Sequence, residues 1–133
     1  MRVIIDTNVF ISGVFFSGPP YRILDAWRKG RIKLVITPEI IEEYRRVGEE
    51  LTRKFPGIDL NPFLSLVIVE SEIVLVPDLK EQVCADPDDD KFIACALGSG
   101  CDCIVTGDKQ LKKLSGYRGL EIVSPREFMN KYL

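Results

Sequence analysis

Two acidic side chains follow apolar runs in this sequence, at positions where proteins often carry functional residues. Asp6 comes directly after Val3-Ile4-Ile5, and Asp108 comes after Cys103-Ile104-Val105 with two residues between. An acid after a strand is commonly only a turn residue or a helix cap. In a parallel sheet, however, ligands bind outside the carboxyl ends of the strands. Two acids after different strands therefore predict carboxylates that share one site.

A third acid is predicted to reach the same region from a long helix. Thr37 and Pro38 have the residue types of an N-cap and a first helical position, and the apolar residues after them recur with helical spacing. At about 100° per residue, Glu43 lies at the edge of the apolar face, whereas Glu42 and Glu49 point to solvent. Glu43 is therefore the glutamate of this helix best placed to reach into a cleft.

The most acidic stretch of the chain is Asp86-Pro87-Asp88-Asp89-Asp90. Asp86 has the type and place of a helix cap, and acids in a first helical turn complement the helix dipole. Asp90 and Asp89 both fall on the apolar side of the helix that follows. Burial of an unpaired carboxylate is costly, and the sequence offers no obvious buried cation. A bound divalent metal ion would be a sufficient partner.

Histidine is absent, and the four cysteines form no C-x-x-C pair. These absences exclude Ser-His and Cys-His nucleophile systems and histidine-based zinc sites. Converging carboxylates suit a hard cation, Mg²⁺ or Mn²⁺, which prefers oxygen ligands. Such an ion activates water and stabilises a phosphoryl transition state, which indicates hydrolysis of a phosphodiester or a phosphomonoester. We expect the cysteines to be reduced and mostly buried.

Short apolar runs alternate with helical patterns along the chain and must position these acids. Strands are predicted at 3–5, 33–36, 73–76, 103–105 and 120–123, and helices at 21–29, 38–55, 61–69, 87–97, 109–114 and from 125 onward. This alternation predicts a three-layer α/β/α fold with a central parallel sheet of about five strands. The chain of 133 residues fits a single domain over residues 1–133.

Composition and charge set further limits. Hydrophobic residues make up 46% and charged residues 29% of the chain, which is ordinary for a globular protein. No apolar stretch approaches the roughly 18 residues that a membrane span needs, and the N-terminus lacks the pattern of a signal peptide. A soluble, cytoplasmic protein is therefore expected. The net charge of −2 neither supports nor excludes a nucleic acid as ligand.

Four motifs in this order resemble those of the PIN domain family, including its prokaryotic toxin-like (VapC-type) ribonucleases. The motifs are Val3-Ile4-Ile5-Asp6-Thr7-Asn8, Thr37-Pro38-Glu39-Ile40-Ile41-Glu42-Glu43-Tyr44, Asp90-Lys91-Phe92-Ile93-Ala94-Cys95-Ala96 and Ile104-Val105-Thr106-Gly107-Asp108. Each motif alone is weakly specific, but the four together cover nearly the whole chain. The resemblance implies an Mg²⁺- or Mn²⁺-dependent nuclease that acts mostly on RNA.

The resemblance also implies roles for individual residues. The residues that it assigns to the metal and its acidic surroundings are Asp6, Asp90, Asp108 and Glu43. Asn8 and Thr106 would be polar support around them. Relatives often carry Asn at the position of Asp90, preceded by Asp, and Asp89 is therefore an alternative third ligand.

Partners follow from the same resemblance and from the remaining residues. Many small prokaryotic members are toxins, which implies an antitoxin protein and often a homodimer. Residues 63–69 are more apolar than one exposed helix face needs, and they predict either a dimer surface or a buried helix. Phosphate contacts to RNA are predicted from basic residues near the motifs. These are Arg22, Arg45, Arg46 and Lys109.

Two other classes of protein also use an aspartate that follows a strand. A phosphatase of the haloacid dehalogenase type requires D-x-D, and Asn8 stands where its acid/base would be. In a receiver domain the phospho-acceptor aspartate follows a later strand. The alternative that stays open is a catalytically weak PIN domain that binds RNA or protein, against which the full set of acids argues.

Overall fold

Five short strands form one all-parallel sheet in the computed structural model, which describes residues 1–133. The strands are β1 (Arg2–Ile5), β2 (Lys33–Ile36), β3 (Glu72–Ile73), β4 (Cys103–Val105) and β5 (Glu121–Val123). Their order across the sheet is β3-β2-β1-β4-β5. The strands β2 and β3 thus lie on one side of β1, and β4 and β5 lie on its other side. The order reverses between β1 and β4, and parallel sheets bind ligands at the carboxyl ends of such strands.

Seven α-helices and two 3₁₀ turns connect and cover the strands. The helices are α1 (Thr7–Phe15), α2 (Pro19–Arg28), α3 (Pro38–Thr52), α4 (Asn61–Glu70), α5 (Asp90–Ser99), α6 (Lys109–Lys112) and α7 (Pro125–Tyr132). The 3₁₀ turns are Pro87–Asp89 and Tyr117–Gly119. The predicted α/β/α class with a central parallel sheet of about five strands is confirmed.

Local capping signals set where several helices begin and end. Thr37 Oγ1 accepts a hydrogen bond from Ile40 N at 3.2 Å, and α3 begins at the residue after this cap, as predicted. Ser124 and Glu127 form a capping box at the start of α7. Gly100 has φ 72° and ends α5 in the left-handed conformation that favours glycine.

A hydrophobic core of 33 buried residues lies between the sheet and the helices. Every residue of β4 is buried, as is typical of a strand covered on both faces. The four cysteines are free and buried, as expected. Burial raises the pKa of Cys95 and Cys103 to about 12, so that both remain thiols and are not nucleophiles. No helix combines the length and the apolar character that a membrane crossing requires.

Several elements differ from the prediction. The helix predicted at 87–97 is α5 over Asp90–Ser99, preceded by the 3₁₀ turn Pro87–Asp89. The helix α1 was not predicted, because most of its side chains are buried and it lacks the polar face that marks an amphipathic helix. The strand predicted at 73–76 is assigned only over Glu72–Ile73. The long helix α3 ends at Thr52 rather than at Phe55. Phe55 packs instead against Phe15 and Phe16 beyond the end of α1.

Candidate active site

The carboxyl ends of β1 and β4 hold two polar residues side by side. Ile5 pairs with Val105 in the parallel register, and Asp6 N donates to Val105 O at 3.0 Å. Asp6 and Thr106, the next residue of each strand, therefore lie at the same level, where the strand order reverses. Asp6 is only 6% exposed and Thr106 is fully buried. This edge of the sheet is where a site was predicted.

Hydrogen bonds fix the Asp6 carboxylate in place. Its Oδ1 accepts from Val9 N at 2.9 Å and caps α1, while its Oδ2 accepts from the Thr106 hydroxyl. Thr106 Oγ1 in turn accepts from Asp108 N at 3.0 Å. One threonine hydroxyl thus connects the two acids that follow β1 and β4.

The burial of Asp6 has an electrostatic consequence. The pKa of Asp6 is raised to about 6, mainly by burial and further by the charges of Asp108 and Glu43, despite the opposing effect of its hydrogen bonds. None of the seven ion pairs of the protein includes Asp6. A buried carboxylate with such a pKa, beside other acids and without a cation, is typical of a functional site.

Tyr44 anchors α3 against the end of β1. Its hydroxyl donates to Ile5 O, and its ring stacks on Phe10 of α1 with 4.2 Å between the ring centroids. Burial raises the pKa of Tyr44 well above its usual value of 10.0, so that the hydroxyl keeps the proton it donates. Glu43, the preceding residue, is therefore held near Asp6.

Glu43 has a cationic partner that sequence reasoning missed. Lys91 Nζ lies 3.1 Å from Glu43 Oε2, and the two side chains are 15% and 18% exposed. The contact is ionic and lacks hydrogen-bond alignment, so that Glu43 Oε2 is buried without a hydrogen-bond partner. The pair could not be predicted, because Lys91 follows a run of acids and its partner lies on a different helix.

Asp89 and Asp90, the alternatives for one ligand, have different surroundings. The Asp90 carboxylate accepts from Cys84 N at 2.7 Å and from Val83 N at 3.2 Å, and so holds the loop that precedes it. The pKa of Asp89 is raised to about 6, mainly by burial and also by the charges of other acids, Asp6 among them. Asp89 is therefore coupled to the acids of the site, whereas Asp90 is committed to backbone amides.

The acids fit the ligand chemistry of a hard divalent cation, although they do not form a closed cage. Asp108 is exposed and caps α6, with its Oδ1 accepting from Gln110 N at 2.8 Å. No three acidic or cysteine side chains are arranged to hold a metal ion. Each carboxylate keeps acceptor capacity beyond its cap, and Glu43 Oε2 and Thr7 Oγ1 are buried without hydrogen-bond partners. This oxygen-only donor set fits Mg²⁺ or Mn²⁺.

The polar and basic residues predicted around the site lie on several surfaces. Asn8 is exposed on the first turn of α1. Arg45 is bound by two glutamates of its own helix. Arg46 and Lys109 are exposed and form no ion pair, and Lys109 begins α6 at the end of β4 where the acids lie. Arg22 lines a separate cleft between α2 and α7.

The parallel sheet and the acids at the carboxyl ends of its strands define an α/β protein with an acidic site where the strand order reverses. The family model described as the PIN domain matches residues 2–110, and the chain belongs to this family. PIN domains are generally nucleases that use divalent metals. The chain is also 32% identical to the uncharacterized protein MJ1680 of Methanocaldococcus jannaschii over 145 aligned positions, which cover 99% of this chain and 92% of that protein.

Proposed function

We propose that this protein is a metal-dependent endoribonuclease that hydrolyses phosphodiester bonds of RNA at the acidic site. The observation that carries the proposal is the Asp6 carboxylate, which is buried beside Asp108 and Glu43 without an ion pair of its own. An ionised carboxylate in this environment lowers the stability of the fold. A role in binding a cation explains why the residue is placed there.

We propose that Asp6, Asp89 and Asp108 hold Mg²⁺ or Mn²⁺. Glu43 completes the acidic set from α3. Asp89 takes the place that the resemblance gives to Asp90, because the Asp90 carboxylate accepts from backbone amides while Asp89 is coupled to the other acids. A bound ion supplies the positive charge that activates water and stabilises the negative charge developing on the phosphoryl group.

Neighbouring residues support the acids and contact the substrate in this proposal. Thr106 orients Asp6 through its hydroxyl and holds the backbone of the other strand-end acid. Asn8 provides a polar side chain at the open edge of the site. Arg46 and Lys109 are favoured for phosphate contacts over Arg45, because their charges are unpaired.

RNA cleavage by the Asp6→Asn variant tests the proposal. The purified protein should cleave an unstructured RNA with Mn²⁺ or Mg²⁺ and not with EDTA, and Asp6→Asn should lose at least about 100-fold in rate. The variant should stay folded, because its carbonyl still accepts from Val9 N and its amide can donate to Thr106 Oγ1. Asp102→Asn is the matched control, since Asp102 is exposed at the amino end of β4.

The same experiment decides between this function and a catalytically weak PIN domain that binds RNA or protein. One observation favours that alternative: the carboxylates of Asp6, Asp90 and Asp108 already accept hydrogen bonds from backbone amides. RNA binding without metal-dependent cleavage would support the alternative. Cleavage that Asp6→Asn leaves intact would contradict the proposed site.

We also propose a biological setting, in which the nuclease is cytoplasmic and acts as the toxin of a toxin–antitoxin pair. The support for this setting is the resemblance of the four motifs to toxin-like PIN ribonucleases. Co-expression with the product of the neighbouring reading frame tests it. That product should bind the nuclease and suppress its cleavage of RNA if it is the antitoxin.

A homodimer is part of the proposal, and an exposed apolar patch supports it. Within the predicted segment 63–69, Val67 is buried, but Ile68 and Val69 are 55% and 75% exposed. Ile73 and Leu75, which follow along the edge of the sheet, are 49% and 85% exposed. Exposed apolar side chains so close together in the chain are typical of interaction surfaces. We place the dimer contact at this patch.

A further inference from the structure

The helices α1 and α3 run side by side away from the acidic site. Asp6 and Glu43 are close enough at one end for their charges to interact. Farther along, a Cβ added to Gly48 of α3 would lie 3.2 Å from Ile11 Cδ1 of α1, which shows how closely the helices approach. The two helices therefore provide a continuous path from the acids to the far side of the molecule.

A groove of about 340 Å³ follows this path. Asn8 lines it at the acidic end, and Phe16 and Lys54 line it at the far end. The apolar side chains of Ile11 and Leu51 lie between. The helix rises about 12 Å from Asn8 to Phe16. The groove thus leads from the proposed catalytic acids to a separate surface with different chemistry.

The far end of the groove combines aromatic rings with an unpaired cation. Phe16 and Phe55 are 48% and 42% exposed, and their rings meet edge to face with 5.6 Å between centroids. Lys54 is exposed and takes part in none of the ion pairs of the protein. Open π faces and cations along a groove are the features with which proteins bind single-stranded nucleic acids.

We propose that this groove binds a single-stranded segment of the RNA substrate, with a base stacked on Phe16 and a phosphate beside Lys54. The proposal rests on the proposed ribonuclease function and adds to it a surface that holds the substrate away from the acidic site. An internal base of a duplex is covered on both faces by its neighbours and cannot stack on Phe16 without unpairing. Glu50 also lines the groove and repels phosphate, which places the phosphate contact at the Lys54 end.

A polypeptide helix is the other class of ligand that an apolar groove accommodates. Two observations favour RNA. The groove is lined at one end by Asn8, two residues from Asp6, and Lys54 takes part in none of the ion pairs of the protein. Oligouridylate binding by variants of Phe16 and Lys54 distinguishes the two ligands.

The groove can be tested without cleavage by measuring, in EDTA, how tightly the protein binds a labelled oligouridylate of about 12 nucleotides. Fluorescence anisotropy reports the binding. Phe16→Leu keeps an apolar side chain but removes the π face, and it should weaken binding about tenfold. Phe16→Trp should retain binding, and its exposed indole should be quenched by the bound base. The native Trp27 is 4% exposed and should not respond. Tyr132→Leu, at the end of α7, is the matched control.

Charge and kinetics provide two further measurements. Lys54→Ala should reduce the slope of log Kd against log salt by about 0.7, whereas Lys33→Ala, at the amino end of β2, should leave it unchanged. With Mn²⁺, Phe16→Leu should raise KM for the single strand and leave kcat unchanged. A blunt RNA duplex should compete poorly with the oligouridylate.

Unchanged oligouridylate affinity in both Phe16→Leu and Lys54→Ala would overturn the proposal and leave the groove to a polypeptide. Equal affinity for duplex and single strand would overturn it too. Failure of the groove proposal and failure of the proposed function give different results. Cleavage with an unaltered KM in Phe16→Leu would reject the groove alone. Groove-dependent binding by a wild type that cleaves no RNA would reject the nuclease alone.

Discussion

Removal of Lys91 should destabilise the metal-free protein, and the structure allows the size of the effect to be worked out. Lys91 Nζ and Glu43 Oε2 are 3.1 Å apart, and the side chains are 15% and 18% exposed. At an effective dielectric constant of about 20, such charges attract by about 5 kcal/mol before desolvation is subtracted. Loss of one partner costs about 3–5 kcal/mol for a fully buried pair and about 0–1 kcal/mol for an exposed one.

We expect Lys91→Met to lower the free energy of unfolding by about 2–3 kcal/mol, between these limits. Methionine retains the length and the apolar packing of the lysine stem, so that the change reports mainly on charge. The loss should be felt at Glu43 in particular, because its charge also interacts with Asp6. Urea unfolding in EDTA at neutral pH measures it.

A double-mutant cycle isolates the pair. Glu43→Gln combined with Lys91→Met should recover most of the stability, because no unpaired charge is then left. Lys112→Met, which breaks the more exposed pair with Glu127, should have little effect. Millimolar Mg²⁺ should restore part of the stability of Lys91→Met, because a cation at the acids replaces the lost charge. A loss below about 0.5 kcal/mol, or a double variant no more stable than Lys91→Met alone, would refute this reasoning.

Further predictions concern the acids and the dimer. The pKa of Asp6 is raised to about 6 from 3.8, so the metal-free protein should lose stability as the pH rises from about 4 to about 6, and Asp6→Asn should remove the share that belongs to Asp6, about 2–3 kcal/mol by urea unfolding. Asp89 should contribute a further part of the loss, since its pKa is also raised to about 6. The affinity for Mn²⁺, measured by calorimetry, should fall below a pH of about 6 as Asp6 and Asp89 take up protons. Asp89→Asn should abolish Mn²⁺ binding, whereas Asp90→Asn should mainly lower the melting temperature; the opposite order would return the ligand role to Asp90. Val69→Glu should convert the dimer to a monomer in sedimentation, and a wild type that is monomeric at all concentrations would reject the dimer contact.

The fold could be predicted where local chemistry decides the structure. The caps at Thr37 and Ser124 act within a few residues of chain, and both helices begin where these residue types indicate. The helix α1 escaped prediction because tertiary contacts bury most of it, which removes the periodic polar face that identifies a surface helix. Its own N-cap is Asp6, for which the sequence allowed a cap, but no helix was predicted to follow it.

The positions of the candidate acids in the fold could be predicted from strand ends and helical periodicity. The Glu43 side chain is 18% exposed and that of Glu42 is 58% exposed, as the helical wheel indicates. Helical periodicity could not decide whether Asp89 or Asp90 is the ligand. Adjacent residues at the start of a helix are only about 100° apart around its axis, so that both can face inward. Their surroundings differ through a loop contact, the hydrogen bond from Cys84 N. The pairing of Lys91 likewise depends on how two helices pack.

Two acids of this cluster also serve as structural caps, and this affects how variants are interpreted. Asp6 caps α1 through Val9 N, and Asp108 caps α6 through Gln110 N. Asparagine caps a helix about as well as aspartate does, whereas alanine costs typically about 1 kcal/mol. An alanine variant would therefore confuse loss of a metal ligand with loss of a cap. Asparagine removes the charge and keeps the cap, so that a loss of cleavage in Asp6→Asn or in Asp108→Asn with unchanged folding can be assigned to chemistry at the acidic site.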